Sequence, residues 1–226
     1  MKVAVIGTGL IGTSIALALR EHGSTVWLAD SDPATVRLAA DLGAGEPMPA
    51  RGTADVAVIA VPPAAVAATL AAAQARQLAR CYTDVASVKQ FPVGQAREQG
   101  CDLTCYVPGH PLAGREKHGP AAARADLFLG RTWALCPVPE TSEAAIQAVT
   151  DLVQACEMSA TQRSCPAGSM RTGTAPHTRT NSVTVSVARL VVSGSGHSAQ
   201  VRPRNRSARA AAGPCFSRPA SGCPGT

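Results

Sequence analysis

A short apolar run, residues 2–6, leads directly into Gly7, Gly9 and Gly12, a G-x-G-x-x-G spacing followed by apolar residues at helical intervals (Leu10, Ile11, Ile15 and Leu19). Few features restrict a fold so tightly. Gly7 allows a tight turn from strand to helix, Gly9 lets the backbone reach a phosphate with no Cβ in between, and Gly12 lets the helix pack against its strand. The helix then presents its free N–H groups, those of Leu10 and Ile11 among them, and the positive end of its dipole to an anion. Residues 25–30 read as a second strand ending in Asp30, 18 residues past Gly12 and close to the ~20 expected of a carboxylate that holds an adenosine ribose. The ligand this arrangement specifies is a dinucleotide. Asp30 repels a 2′-phosphate, and with Ser31 and Asp32 following and no adjacent Arg, the reading favours NAD over NADP.

Strand and helix patterns alternate as far as residue 157, which predicts an α/β fold: a Rossmann-type, mostly parallel sheet with helices on both faces. Asp32 and Pro33 look like an N-cap and first helical residue, opening a helix to about Leu42, and residues 43–53 read as a loop. Residues 55–61 form a continuous apolar strand, and an alanine-rich helix follows from Pro63 to about Arg80. Further strands are expected over 82–85, 103–107 and 132–136, and a closing helix over 141–156.

The net charge of +6 suggests a polyanionic partner until its distribution is considered. All fifteen Asp and Glu lie in residues 1–157 with twelve Lys and Arg, whereas residues 158–226 hold nine Arg, no Lys and no acid. Basicity therefore belongs to an Arg-, Ser-, Gly- and Pro-rich tail with one short alternating stretch at Val183, Val185 and Val187. Two readings of that tail stand side by side, a disordered segment and an out-of-frame product of a GC-rich gene. With Phe216 as its only aromatic, it lacks a stacking platform for nucleic acid, and no such partner is expected. No export leader and no bilayer-spanning apolar run is visible, so a cytoplasmic protein without a membrane partner is expected. Cys81, Cys136 and Cys156 sit in apolar runs suited to reduced thiols, and Cys101 and Cys105 lack a second ligand pair, so no metal site is expected.

Ligands of an open parallel sheet bind outside the carboxyl ends of its strands, where the unusual polar residues of this chain fall. Val61 and Pro62 end one strand and are assigned to the cofactor, Ser87 and Lys89 follow the next, and His110 follows Val107. An imidazole titrates near neutrality and can take a proton from an alcohol as hydride leaves the same carbon. His110, in a stiff turn between Gly109 and Pro111, is the catalytic candidate; His22 and His118, at a helix end and in a polar loop, are not.

Four segments carry a resemblance: GTGLIGTS from Gly7, DVAVIAVPP from Asp55, TDVASVK from Thr83 and GHPLAGREKHG from Gly109, with DLFLGRTW from Asp126 in support. Over residues 1–157 the chain resembles the prephenate dehydrogenases. The resemblance implies that His110 accepts the ring-hydroxyl proton during hydride transfer to NAD, and that Ser87 orients His110 beside the nicotinamide. It also implies that Glu116 lines or gates the substrate pocket and that Lys89 supports the same cleft. The reaction so implied is oxidative decarboxylation of prephenate to 4-hydroxyphenylpyruvate, in tyrosine biosynthesis, with arogenate dehydrogenation and an inactive NAD-binding remnant as alternatives. A β-hydroxyacid dehydrogenase would look instead to a helical Lys in a second domain, and the segment around His110 argues against it. After Cys156 the family pattern calls for Gly and then, near a His-Asp pair, a helical dimerisation domain that supplies an Arg for the substrate carboxylates. Glu157 stands in the glycine's place and no His-Asp follows. The chain as written is therefore expected to bind NAD, to turn prephenate over poorly, and not to form the family's homodimer.

Overall fold

The computed structural model describes residues 1–114 and 116–163. The readings of the tail from residue 164 onward, its short strand included, lie outside the described residues.

Strand β1 (Lys2–Ile6) enters the first turn, helix α1 (Leu10–Glu21) leaves it, and β2 (Thr25–Ala29) returns parallel to β1 with Val3 opposite Val26 and Ile6 opposite Ala29. Helix α2 (Pro33–Asp41) starts as expected, with the Asp32 carboxylate accepting from the Ala34 N–H at 2.8 Å. The expected loop over 43–53 contains a two-residue strand, β3 (Glu46–Pro47). Beyond it come β4 (Ala54–Ile59), helix α3 (Val66–Ala75), β5 (Ala79–Asp84), helix α4 (Gln90–Glu98) and β6 (Tyr106–Val107). The six strands form one parallel sheet in the order β3-β2-β1-β4-β5-β6, a doubly wound Rossmann-type arrangement.

Alternation along the central strands divides the core between two faces. Val3, Val5, Val56 and Val58 point to one side, against Ile15 and Leu19 of α1 and Val149 and Leu152 of α5 (Glu143–Ala155). Ala4, Ala57 and Ile59 point to the other, against Leu70 of α3 and Val93 of α4. At ~25 cal/mol per Å² of apolar surface removed from water, this two-sided burial stabilises the sheet from which the β1–α1 turn emerges.

Several expectations need correction. The helix expected over 63–80 is a 3₁₀ turn (Pro63–Ala65) followed by α3, and it stops because Gln77 takes a left-handed φ of 50°. Arg80 already belongs to β5. The strand expected over 103–107 shrinks to β6, since the Asp102 carboxylate accepts from the Thr104 N–H (2.9 Å) and hydroxyl (2.7 Å) and folds that stretch into a turn. Helix α4 was not foreseen. The segment expected to be a stiff turn around His110 is a strand, β7 (Gly109–Pro111), antiparallel to β8 (Thr132–Leu135) in a second, three-stranded sheet. Strand β9 (Ser159–Gln162) completes that sheet parallel to β8, so folded structure continues beyond the composition break at 157.

Candidate active site

The glycine turn separates into a structural part and a free part. A methyl at Gly7 (φ +103°) would lie 2.3 Å from the Ala60 carbonyl oxygen, and one at Gly12 would lie 1.9 Å from that of Gly7, so both positions are closed by backbone. A methyl at Gly9 would meet nothing within 4 Å. Gly9 is the N-cap of α1, with no side chain capping it and no acid in the first turn. The N–H groups that open the helix, at Leu10 and Ile11, meet no capping side chain at Gly9, the kind of helix start that suits an anion.

Asp30 stands just past the end of β2, half-buried. One carboxylate oxygen accepts from the Thr8 N–H at 2.6 Å and lies 3.2 Å from the Thr8 hydroxyl; the other accepts from the Asp32 N–H at 3.0 Å and the Ser31 hydroxyl at 3.2 Å. Burial works to raise its pKa, but these hydrogen bonds outweigh it and hold the carboxyl below its ordinary value. The Thr8 and Thr35 hydroxyls lie 2.8 Å apart, and the Thr35 hydroxyl lies 2.9 Å from the Asp32 carbonyl oxygen. Each hydroxyl has one hydrogen, so Thr8 donates either to Asp30 or to Thr35. Val61 and Pro62 follow β4 where Ala60 packs on Gly7, at the same rim.

His110, the middle residue of β7, is partly buried, and its Nδ1 lies 3.0 Å from the Val85 carbonyl oxygen. A carbonyl can only accept, so Nδ1 carries the hydrogen and Nε2 of the neutral ring is an acceptor. Ser87 is exposed in the segment after β5, and among the described residues its hydroxyl forms no hydrogen bond with His110; the orientation assigned to Ser87 is made here by the Val85 carbonyl. Lys89 is held between β5 and β7. Its ammonium donates to both carboxylate oxygens of Asp84 (2.6 and 2.8 Å) and to the carbonyl of Gly109, the residue before His110. Glu116 is exposed on the loop after β7 and is not brought against His110 by any contact among the described residues. That loop borders an open cavity of about 430 Å³ lined by Leu112, Gly114, Arg124, Asp126 and Arg131, where Arg124 is paired with Asp126.

Sequence reasoning passed over Asp84, Thr8 and Ser14. Asp84 is fully buried at the end of β5, and Thr8 braces Asp30. The Ser14 hydroxyl accepts from the Arg124 N–H at 3.0 Å and ties α1 to the segment before β8. The TDVASVK segment contained Asp84, but a partner five residues away matches neither helical nor strand spacing. Among the described residues no His, Cys, Asp and Glu cluster could hold a metal, and no helix is long and apolar enough to cross a membrane.

Residues 15–161 match the family model of the prephenate dehydrogenase nucleotide-binding domain. A probable prephenate dehydrogenase, NovF of Streptomyces niveus, is 50% identical over 157 residues, which are 69% of this chain and 43% of that protein. The chain thus spans less than half the length of this relative. Among solved structures, prephenate dehydrogenase from A. aeolicus in complex with hydroxyphenyl propionate and NAD+ superposes with a TM-score of 0.64 at 23% identity, over 73% of this chain and 60% of that one. Synechocystis arogenate dehydrogenase gives a TM-score of 0.64 at 24% identity over 73% and 60%. These two likenesses are to the fold.

Proposed function

The chain belongs to the prephenate dehydrogenase family through its nucleotide-binding domain, and from that premise we propose that it is an NAD-dependent dehydrogenase of prephenate with His110 as general base. The observation that carries this reading is the 3.0 Å contact of His110 Nδ1 with the Val85 carbonyl, which leaves Nε2 as proton acceptor on the strand beside the cofactor rim.

Gly9 and the N–H groups of Leu10 and Ile11 would hold the pyrophosphate, Asp30 the adenosine ribose, and Val61 and Pro62 the wall of the cleft. When bound, NAD supplies the hydride acceptor. His110 Nε2 takes the hydroxyl proton from the substrate's ring carbinol, and the Val85 carbonyl keeps the opposite nitrogen protonated throughout. Positioned bases of this kind contribute about 10²–10⁴-fold. The exposed Ser87 hydroxyl is free to meet the nicotinamide or substrate, and Glu116 to line the pocket mouth. Loss of the ring carboxylate as carbon dioxide makes the ring aromatic and the reaction effectively irreversible.

Arogenate is the second reading, supported by the fold shared with the Synechocystis enzyme. The test is titration of the purified chain with NAD, then addition of prephenate or arogenate while reduced nicotinamide is followed by absorbance. Saturable NAD binding and slow, His110-dependent reduction with one of the two acids are expected. NAD binding without reduction by either acid would leave a nucleotide-binding remnant in place of a dehydrogenase.

A further inference from the structure

Asp84 has no place in the chemistry just described, yet it is completely buried and ionically paired at the end of β5. One of its oxygens accepts from the Gly109 N–H at 3.0 Å and the other from the Ala86 N–H at 3.2 Å. Lys89, whose side chain is 10% exposed, closes the circuit by donating to both Asp84 oxygens and to the Gly109 carbonyl. Both polar groups of the Gly109 backbone are thereby held by one ion pair. Gly109 immediately precedes His110, and Ala86 immediately follows Val85, whose carbonyl receives the His110 Nδ1 hydrogen. No side chain fits at Gly109, since a Cβ there would lie 2.4 Å from the Trp133 indole nitrogen and 3.0 Å from the Thr83 hydroxyl.

We propose that Asp84 and Lys89 act as positioning residues: their ion pair locks the end of β5 to the start of β7 and so fixes the rotation and tautomer of His110. The inference rests on His110 being the base. In water such a pair contributes little, but buried, with every remaining acceptor taken by a backbone N–H, it is directional and rigid. A salt bridge that served only to hold the fold could join any two elements; this one grips the two peptide segments that set the donor and the acceptor of a single hydrogen bond.

The test reads the imidazole directly. In the full chain labelled with ¹⁵N-histidine, without cofactor or substrate, the wild-type His110 is expected as a single Nδ1-protonated tautomer. Asp84→Asn removes the charge at nearly constant shape, and Lys89→Gln leaves the Asp84 bonds to the Gly109 and Ala86 N–H groups in place. In both variants His110 is expected to become a mixture of tautomers, while NAD affinity stays within about twofold and kcat falls on the order of 10²-fold, the loss typical of a small misplacement of a reacting group. Lys89→Arg, which keeps the charge, is expected to restore most of the single tautomer. Unchanged His110 nitrogen signals in a variant whose melting curve shows it folded would overturn the proposal. Should Asp84→Asn fail to fold, Lys89→Gln decides alone. The spectrum needs no turnover, so it answers for the clamp even where prephenate is not oxidised and the functional reading fails.

Discussion

A methyl group separates two glycines three positions apart. At Gly12 it would collide with the Gly7 carbonyl at 1.9 Å, whereas at Gly9 it would project into open space. Gly12→Ala is therefore expected to destabilise the domain by about 1–3 kcal/mol or more, the range for forced overpacking. Gly9→Ala should melt as the wild type does and lose NAD affinity about tenfold, which corresponds to ~1.4 kcal/mol of binding; paired thermal melts and NAD titrations check both. At Glu157 the backbone itself is strained, with φ at 56°, a left-handed conformation that favours glycine. A left-handed conformation costs a non-glycine residue ~1–2 kcal/mol. The Glu157 side chain offsets part of this through its 3.3 Å contact with His22, an exposed pair of small value. Glu157→Gly is accordingly expected to gain up to about 1 kcal/mol in denaturant unfolding, and a loss of stability would mean that the His22 contact outweighs the strain.

The elements that came through clearly from sequence are those in which a periodic pattern is bounded by chemistry that can end it. Asp32 and Pro33 start α2, and the glycine turn joins β1 to α1. Strand β7 did not come through, because three residues flanked by Pro108 and ending in Pro111 show no alternation, and its pairing partner β8 lies more than twenty residues on. Helix α4 carries Pro92 and Gly94 and has a weak apolar stripe, so its packing through Val93 and Ala96 into the core beside α3 supports it as a helix. For the site the division is similar. His110, Asp30 and the glycines announced themselves through residue type and spacing, while the Asp84–Lys89 pair needed the end of β5 to bring it together. Gly109 tests the element directly: its Cβ would strike the Trp133 indole at 2.4 Å, so Gly109→Ala is expected to push β7 off β8. A loss of about 1–3 kcal/mol in unfolding free energy, with altered His110 nitrogen signals, is the expected result; an unchanged spectrum would show that β7 does not govern the imidazole.

At the scale of the whole domain, stability depends on pH through groups whose pKa shifts on folding, Asp30 and His22 among them. The carboxyl of Asp30 has a folded pKa below its ordinary value, so its contribution is present above that ordinary value and is lost as pH falls through the lowered one. For His22 the sign is opposite. The Ala18 carbonyl accepting from its ring, with the Glu157 carboxylate helping against desolvation, raises its pKa. Its contribution is therefore present below the unfolded value of ~6.5 and is lost as pH rises through the raised folded value. Unfolding measured across pH should show Asp30→Asn flattening the acid side and Glu157→Gly reducing, without abolishing, the step that follows His22, since the Ala18 carbonyl remains. Cofactor binding draws these parts into one molecule, since a ligand that binds only the folded state adds stability by mass action. The most direct measurement is calorimetric titration of the folded chain with NAD beside Gly9→Ala: the account predicts one saturable site, weakened by the methyl. No heat from a wild-type sample with an intact melting transition would contradict it.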